Sequence, residues 1–259
     1  SLPELVVSLA AALEGSSTIA VGNVIGSNIA NVGLVLGLSS LVFPLTMKFS
    51  QVKIDLVIYI IVCLLFTYFC TDGEIIRMEG MILFSCIIAY TWFAITHPAK
   101  NRDHENGQMN PNVPLSKSLL LIMFGILSLS FGAIIFITGA IDIARYFGIS
   151  EVVIGMTIVA LGTSLPELAT SVIASFRKES AISIGNIIGS NLFNLLSVIG
   201  LVSMISPLES PVEIIHFEIP YMIVYGLILI PIGLMPQPIH RGTALLLLLG
   251  YGAFISQMF

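Results

Sequence analysis

Residues 1–45 recur as residues 164–208, without a gap, at an offset of 163 and with 22 identical positions. The matched set includes Pro3/Pro166, Glu4/Glu167, Ser8/Ser171, Gly22/Gly185, Asn23/Asn186, Gly26/Gly189, Ser27/Ser190, Asn28/Asn191 and Asn31/Asn194. Chance similarity between apolar segments would match Leu and Val, whereas these are mostly Gly, Pro, Ser, Asn and Glu. A duplicated polar site is the better account. Residues 116–163, ahead of the second copy, hold one full span and the start of another. Symmetry predicts about 48 such residues ahead of the first copy as well. The chain is therefore expected to lack one whole helix and half of the next, and Ser1-Leu-Pro-Glu, with neither Met nor a basic signal region, fits that expectation.

The medium around this polar site follows from composition. Hydrophobic residues make up 56% of the 259, only 10% are charged, and the mean hydropathy is +1.02. Soluble domains carry about 25% charged residues. An ordinary cytosolic domain, a disordered chain and a nucleic-acid binder are excluded, and a polytopic membrane protein remains. With about 20 residues per crossing, spans are expected at 1–13 (the tail of one), 18–44, 54–71, 77–97, 117–146, 151–176, 180–206, 213–234 and 240–258. The polar stretch 98–115, with three prolines, reads as a linker. It divides a first repeat, 1–97, from a second, 116–259. Cys63, Cys70 and Cys86 lie in apolar runs and read as small buried hydrophobes.

Orientation follows from Lys and Arg in the short loops. One side holds Lys48, Lys53, Lys100, Arg102, Lys117, Arg177, Lys178 and Arg241, and the other only Arg77 and Arg145. The first side, with the linker, is expected to be cytoplasmic. Five helices per repeat is an odd number, so the two halves must be inverted. The expected fold is an all-α polytopic membrane protein of two inverted-topology five-helix repeats, the architecture of alternating-access transporters with a midplane site.

Glu4 and Glu167 are candidate cation ligands. Glu167 lies in an otherwise uncharged stretch, and a charge at mid-span costs at least about 2.5–3.5 kcal/mol. No basic residue shares either helix. Ser164 lies three residues before Glu167, on one helix face, as Ser1 does before Glu4. Pro166 lacks an N–H and should free the carbonyl of Gly162. Ser27 and Asn31 share a face, as do Ser190 and Asn194. These are hard oxygen donors, suited to Na+ or Ca2+ rather than Zn2+. Gly22/Gly26 and Gly185/Gly189 suit close helix packing. Asn23, Asn28, Asn186 and Asn191 fit either ligation or hydrogen bonding between helices.

The pattern G-T-S-L-P-E-L followed by G-N-x-I-G-S-N-x-x-N, in two inverted copies over about 95 residues, resembles the alpha repeats of the sodium/calcium exchanger family. The resemblance implies ten helices in the whole protein and Na+-driven Ca2+ transport. It also implies four ion positions between the pairs 1–13 with 18–44 and 151–176 with 180–206. The implied ligands are Ser1, Glu4, Ser27 and Asn31, then Thr163, Ser164, Glu167, Ser190 and Asn194, with the Ala160 carbonyl as a weaker candidate. Some members carry Asp where this chain has Asn194, so the formal site charge here is −2. The related Ca2+/H+ exchangers place a glutamate in G-N-x-x-E, which is missing here.

The transported ions are expected to be Ca2+ and Na+, with no bound cofactor. The expected partner is the bilayer and not nucleic acid, and one chain should suffice for transport in a prokaryotic inner membrane. The alternatives are Ca2+/H+ exchange through the same glutamates, or an inert structural fragment. No nucleophile or zinc motif points to an enzyme. Gly125, Gly132 and Gly139 recur every seven residues along the 117–146 span, which suits either sliding or close packing.

Overall fold

The computed structural model of the chain describes residues 1–97, 114–235 and 238–258, so the expected linker lies almost wholly outside the described residues. Helix α1 (Leu2–Leu13) opens with Pro3 in its first turn, where a missing N–H costs nothing. It ends before Gly15, at φ +82°. Helix α2 (Ser17–Val42) follows, then α3 (Phe49–Cys70), a two-residue strand β1 (Glu74–Ile75) and α4 (Arg77–Thr96). The second half begins with α5 (Leu115–Tyr146), α6 (151–163), α7 (Leu165–Phe176) and α8 (Ser180–Ile205). Strand β2 (Leu208–Glu209), α9 (Val212–His216), α10 (Glu218–Leu234) and α11 (Arg241–Met258) complete it.

Five described helical stretches are long and apolar enough to cross a bilayer, and the bent pair Gly155–Thr163 and Leu165–Phe176 makes a sixth. Helix α5, at 32 residues, extends about 48 Å at 1.5 Å per residue. The boundaries differ from the sequence expectation in three places. Helix α3 starts at Phe49 rather than 54, because the polar turn before the apolar run is already helical. The 151–176 span bends by 48° at Ser164, two residues before the proline that cannot continue the hydrogen-bond ladder. The 213–234 span breaks at Phe217 (φ −122°, ψ −61°).

The halves are interwoven by interactions that come in pairs at the repeat offset. Strand β1 pairs antiparallel with β2, Ile75 opposite Leu208. Its mate is the bond from the Ile239 N–H to the Leu45 carbonyl, 2.7 Å. The Glu209 N–H donates to Ser17 Oγ at 3.4 Å, and the Thr46 N–H to Ser180 Oγ at 3.2 Å. Helix α4 packs on α8 where Gly80 meets Gly200, and α11 packs on α2 where Ala244 meets Gly37. Each repeat thus lays its last helix on the other repeat's central helix. Helix α2 is almost wholly buried and α8 largely so, while α3 and α4 turn apolar side chains such as Ile61, Leu64 and Trp92 outward, as lipid-facing helices do.

A Cβ on Gly26 would collide with the Met156 carbonyl and lie 2.7 Å from Ala160 Cβ. Gly26→Ala is therefore expected to destabilise the protein by about 1–3 kcal/mol through overpacking. Thermal melts in detergent read the loss. The Gly125, Gly132 and Gly139 stripe meets nothing within 4 Å among the described residues. It is not a close-packing surface among the described residues.

Candidate ion site

Both glutamates sit in the first turn of a helix, Glu4 in α1 and Glu167 in α7, where the helix dipole favours an anion. Both are buried, Glu4 fully and Glu167 with 3% exposed. Among the described residues, neither oxygen of Glu4 has a hydrogen-bond partner. Glu167 Oε1 accepts from Ser1 Oγ at 3.2 Å, while its Oε2 is unpartnered among the described residues.

Asparagines hold these helix starts against the central helices. Asn23 Nδ2 donates to the Glu4 carbonyl (3.3 Å) and Ser8 Oγ (2.9 Å). Asn186 Nδ2 donates to the Glu167 carbonyl (3.2 Å) and Ser171 Oγ (3.0 Å). The main chain of both glutamates is thereby fixed. Asn28 and Asn191 are engaged as well, with each Nδ2 donating to the other's main-chain carbonyl at 3.3 Å. For these four residues, hydrogen bonding between helices is what the structure contains.

Asn31 and Asn194 each open a π-helical turn, Asn31–Leu36 and Asn194–Val198, a feature concentrated at functional sites. Asn31 Nδ2 donates to Asn191 Oδ1 (3.0 Å) and Asn194 Nδ2 to Asn28 Oδ1 (3.2 Å). The Oδ1 atoms of Asn31 and Asn194 are buried and unpartnered, as is Ser164 Oγ. A second group of oxygens lies on the α2–α6 side. Ser27 Oγ is 3.2 Å from Thr163 Oγ1 and 3.4 Å from the Ala160 carbonyl, and Thr163 Oγ1 donates to Asn23 Oδ1 at 2.9 Å. Ser190 lines a cleft of about 300 Å³ with Ser1, Gly185, Asn186, Gly189 and Phe193.

One expectation fails. The Gly162 carbonyl is not freed by Pro166, because N–H groups of the tight cap at Ser164 return to the Ala160 and Gly162 carbonyls. Two further carboxylates carry no signal in the sequence: Asp55 accepts from Tyr90 Oη at 2.9 Å, and Glu218 Oε2 is buried and unpartnered among the described residues. Continuing the 163-residue offset beyond residue 45 pairs these two carboxylates. Among the described residues no three His, Cys, Asp or Glu side chains gather into a metal cluster. A cation between α1, α2, α7 and α8 must therefore complete its shell with neutral oxygens, which suits Na+ and Ca2+.

Interwoven inverted repeats with a buried carboxylate in each half define a membrane ion transporter. The family described as sodium/calcium exchanger protein matches residues 1–96 and 117–259, and the chain belongs to it. It is an integral membrane protein of a transporter family, not an enzyme. It is 30% identical to the sodium/calcium exchanger MaX1 of Methanosarcina acetivorans, over the whole of this chain and 85% of that protein. It is 31% identical to the inner membrane protein YrbG of Escherichia coli, over the whole chain and 82% of YrbG. A structure of the sodium-calcium exchanger NCX_Mj, soaked with Na+ and Sr2+, superposes with a TM-score of 0.80 at 30% identity, covering 99% of this chain and 82% of that one.

Proposed function

We propose that this protein exchanges Na+ for Ca2+ by alternating access, with Glu4 and Glu167 as the shared ligands at the midplane. The observation that carries the reading is the set of buried oxygens left without partners, Glu4 Oε1 and Oε2, Glu167 Oε2, Asn31 Oδ1, Asn194 Oδ1 and Ser164 Oγ. Buried polar atoms in proteins are as a rule hydrogen-bonded. Six orphaned oxygens on two facing helix pairs are the complement of a desolvated hard cation. The proposed ligand set is these five residues with Ser1, Ser27, Thr163, Ser190 and the Ala160 carbonyl.

Exchange follows from charge. Two carboxylates neutralise one Ca2+ or two Na+, and the ions compete because they share those carboxylates. An empty site would carry −2 through hydrocarbon, at a cost that blocks leak. Helix α5, whose glycine stripe meets nothing within 4 Å among the described residues, slides along the core to open each side in turn. The repeats, 1–97 and 116–259, meet at the site, and the loops rich in Lys and Arg face the cytoplasm across an inner membrane.

The test uses full-length protein in Na+-loaded proteoliposomes diluted into Na+-free buffer with 45Ca2+. The expected result is uptake that needs the Na+ gradient. Uptake driven by a pH gradient without Na+ would instead establish Ca2+/H+ exchange, and the absence of both would overturn the calcium reading.

A further inference from the structure

Asn28 and Asn191 lie one behind each asparagine of the ion site, and the direction of their bonds has a consequence for the ligands. A carboxamide can present either oxygen or nitrogen, and only oxygen can ligate a cation. Asn28 Oδ1 accepts from Asn194 Nδ2, and Asn191 Oδ1 accepts from Asn31 Nδ2. Both acceptors are fixed in turn, since each Nδ2 is bonded to the other's main-chain carbonyl, and Asn28 Nδ2 also reaches Met222 Sδ at 3.8 Å. All four asparagines are fully buried, so no water competes for these bonds. On this arrangement, and resting on the ion-exchange reading above, we propose that Asn28 and Asn191 are positioning residues that aim the side-chain oxygens of Asn194 and Asn31, respectively, at the transported cation.

The pairing is crossed. Asn28, in the first repeat, orients the ligand of the second, and Asn191 does the reverse. Structural glue would make no such distinction between partners. Two helices merely held together would lose the same stability whichever ligand was altered. An orienting contact matters only while the ligand has a wrong way to face. An aspartate at 194 has none, because both of its terminal atoms are oxygens.

The experiment is a mutant cycle read by equilibrium 45Ca2+ binding to full-length protein. Asn28→Ala is expected to weaken binding by about 10–100-fold, the usual cost of losing a residue that supports a metal ligand. In an Asn194→Asp background the same change is expected to cost little, whereas in an Asn31→Asp background it keeps its full cost. Asn191→Ala should show the opposite dependence. Equal losses in both backgrounds would overturn the proposal. If Asn28→Ala does not fold, Asn28→Ser, too short to reach Asn194, replaces it. If the parent protein binds neither Ca2+ nor Na+, the exchange reading has failed. The crossed pairing is then read from melting temperatures of ion-free protein, where Asn28→Ala and Asn194→Ala should be non-additive and Asn28→Ala and Asn31→Ala additive. Additivity in the first pair would overturn it.

Discussion

Glu4→Gln is expected to abolish Na+-gradient-driven Ca2+ uptake while raising the melting temperature of the ion-free protein. The Glu4 carboxylate is fully buried and neither oxygen has a hydrogen-bond partner. An ionised group in that position costs stability unless a cation is bound. Glutamine keeps the shape and removes the charge, so the empty protein should gain. The loaded protein should lose one of its two charge partners for Ca2+, and removing one partner of a buried ion pair costs about 3–5 kcal/mol. That is at least a hundredfold in affinity. Glu167→Gln should abolish uptake equally. The two readouts together separate a ligand from a structural carboxylic acid, whose replacement would lower the melting temperature. A lower melting temperature with uptake retained would refute the role given to Glu4.

Asn194→Asp is expected to tighten Ca2+ binding and to make transport pH-dependent. The parent site carries −2 and is neutral when loaded. A third carboxylate leaves −1 on the Ca2+-loaded form, and a charge at mid-membrane costs at least about 2.5–3.5 kcal/mol. As a barrier to reorientation, that is roughly a hundredfold in rate. Protonating the new carboxyl removes the residual charge. Uptake by the variant should therefore fall as pH rises through the titration of that aspartate, a fall that the parent, which lacks it, does not share. Initial rates of 45Ca2+ uptake at equal pH inside and out decide it. A variant with the parent's profile would show that reorientation does not depend on the site being neutral.

Much of the fold can be read from the sequence, because long apolar runs bounded by Gly, Pro and charge leave few alternatives to helices. The bend at Ser164 follows from Pro166. The break at Phe217 has no comparable signal, since Phe217 sits among residues that suit a helix. The two glutamates are legible because an unpaired carboxylate in an apolar helix needs a reason. The roles of the asparagines are not, because ligation and hydrogen bonding use the same side-chain atoms. A clue was nonetheless present. Residues near a pseudo-two-fold axis meet their own repeat mates, and Asn28 meets Asn191. The satisfied Gly162 carbonyl is not legible from Pro166 alone, because a missing donor four residues ahead can be replaced by a closer one in a tighter turn.

The π-helical turns at Asn31 and Asn194 carry a historical consequence. Such a turn is one residue inserted into an α-helix, and it rotates everything beyond it by about 100°. Both turns begin at the same repeat position, within an alignment that needs no gap. Two independent insertions at one equivalent position would be a coincidence. The insertion is older than the gene duplication, so the ancestral half-protein already carried the distorted helix when it paired with a second copy of itself.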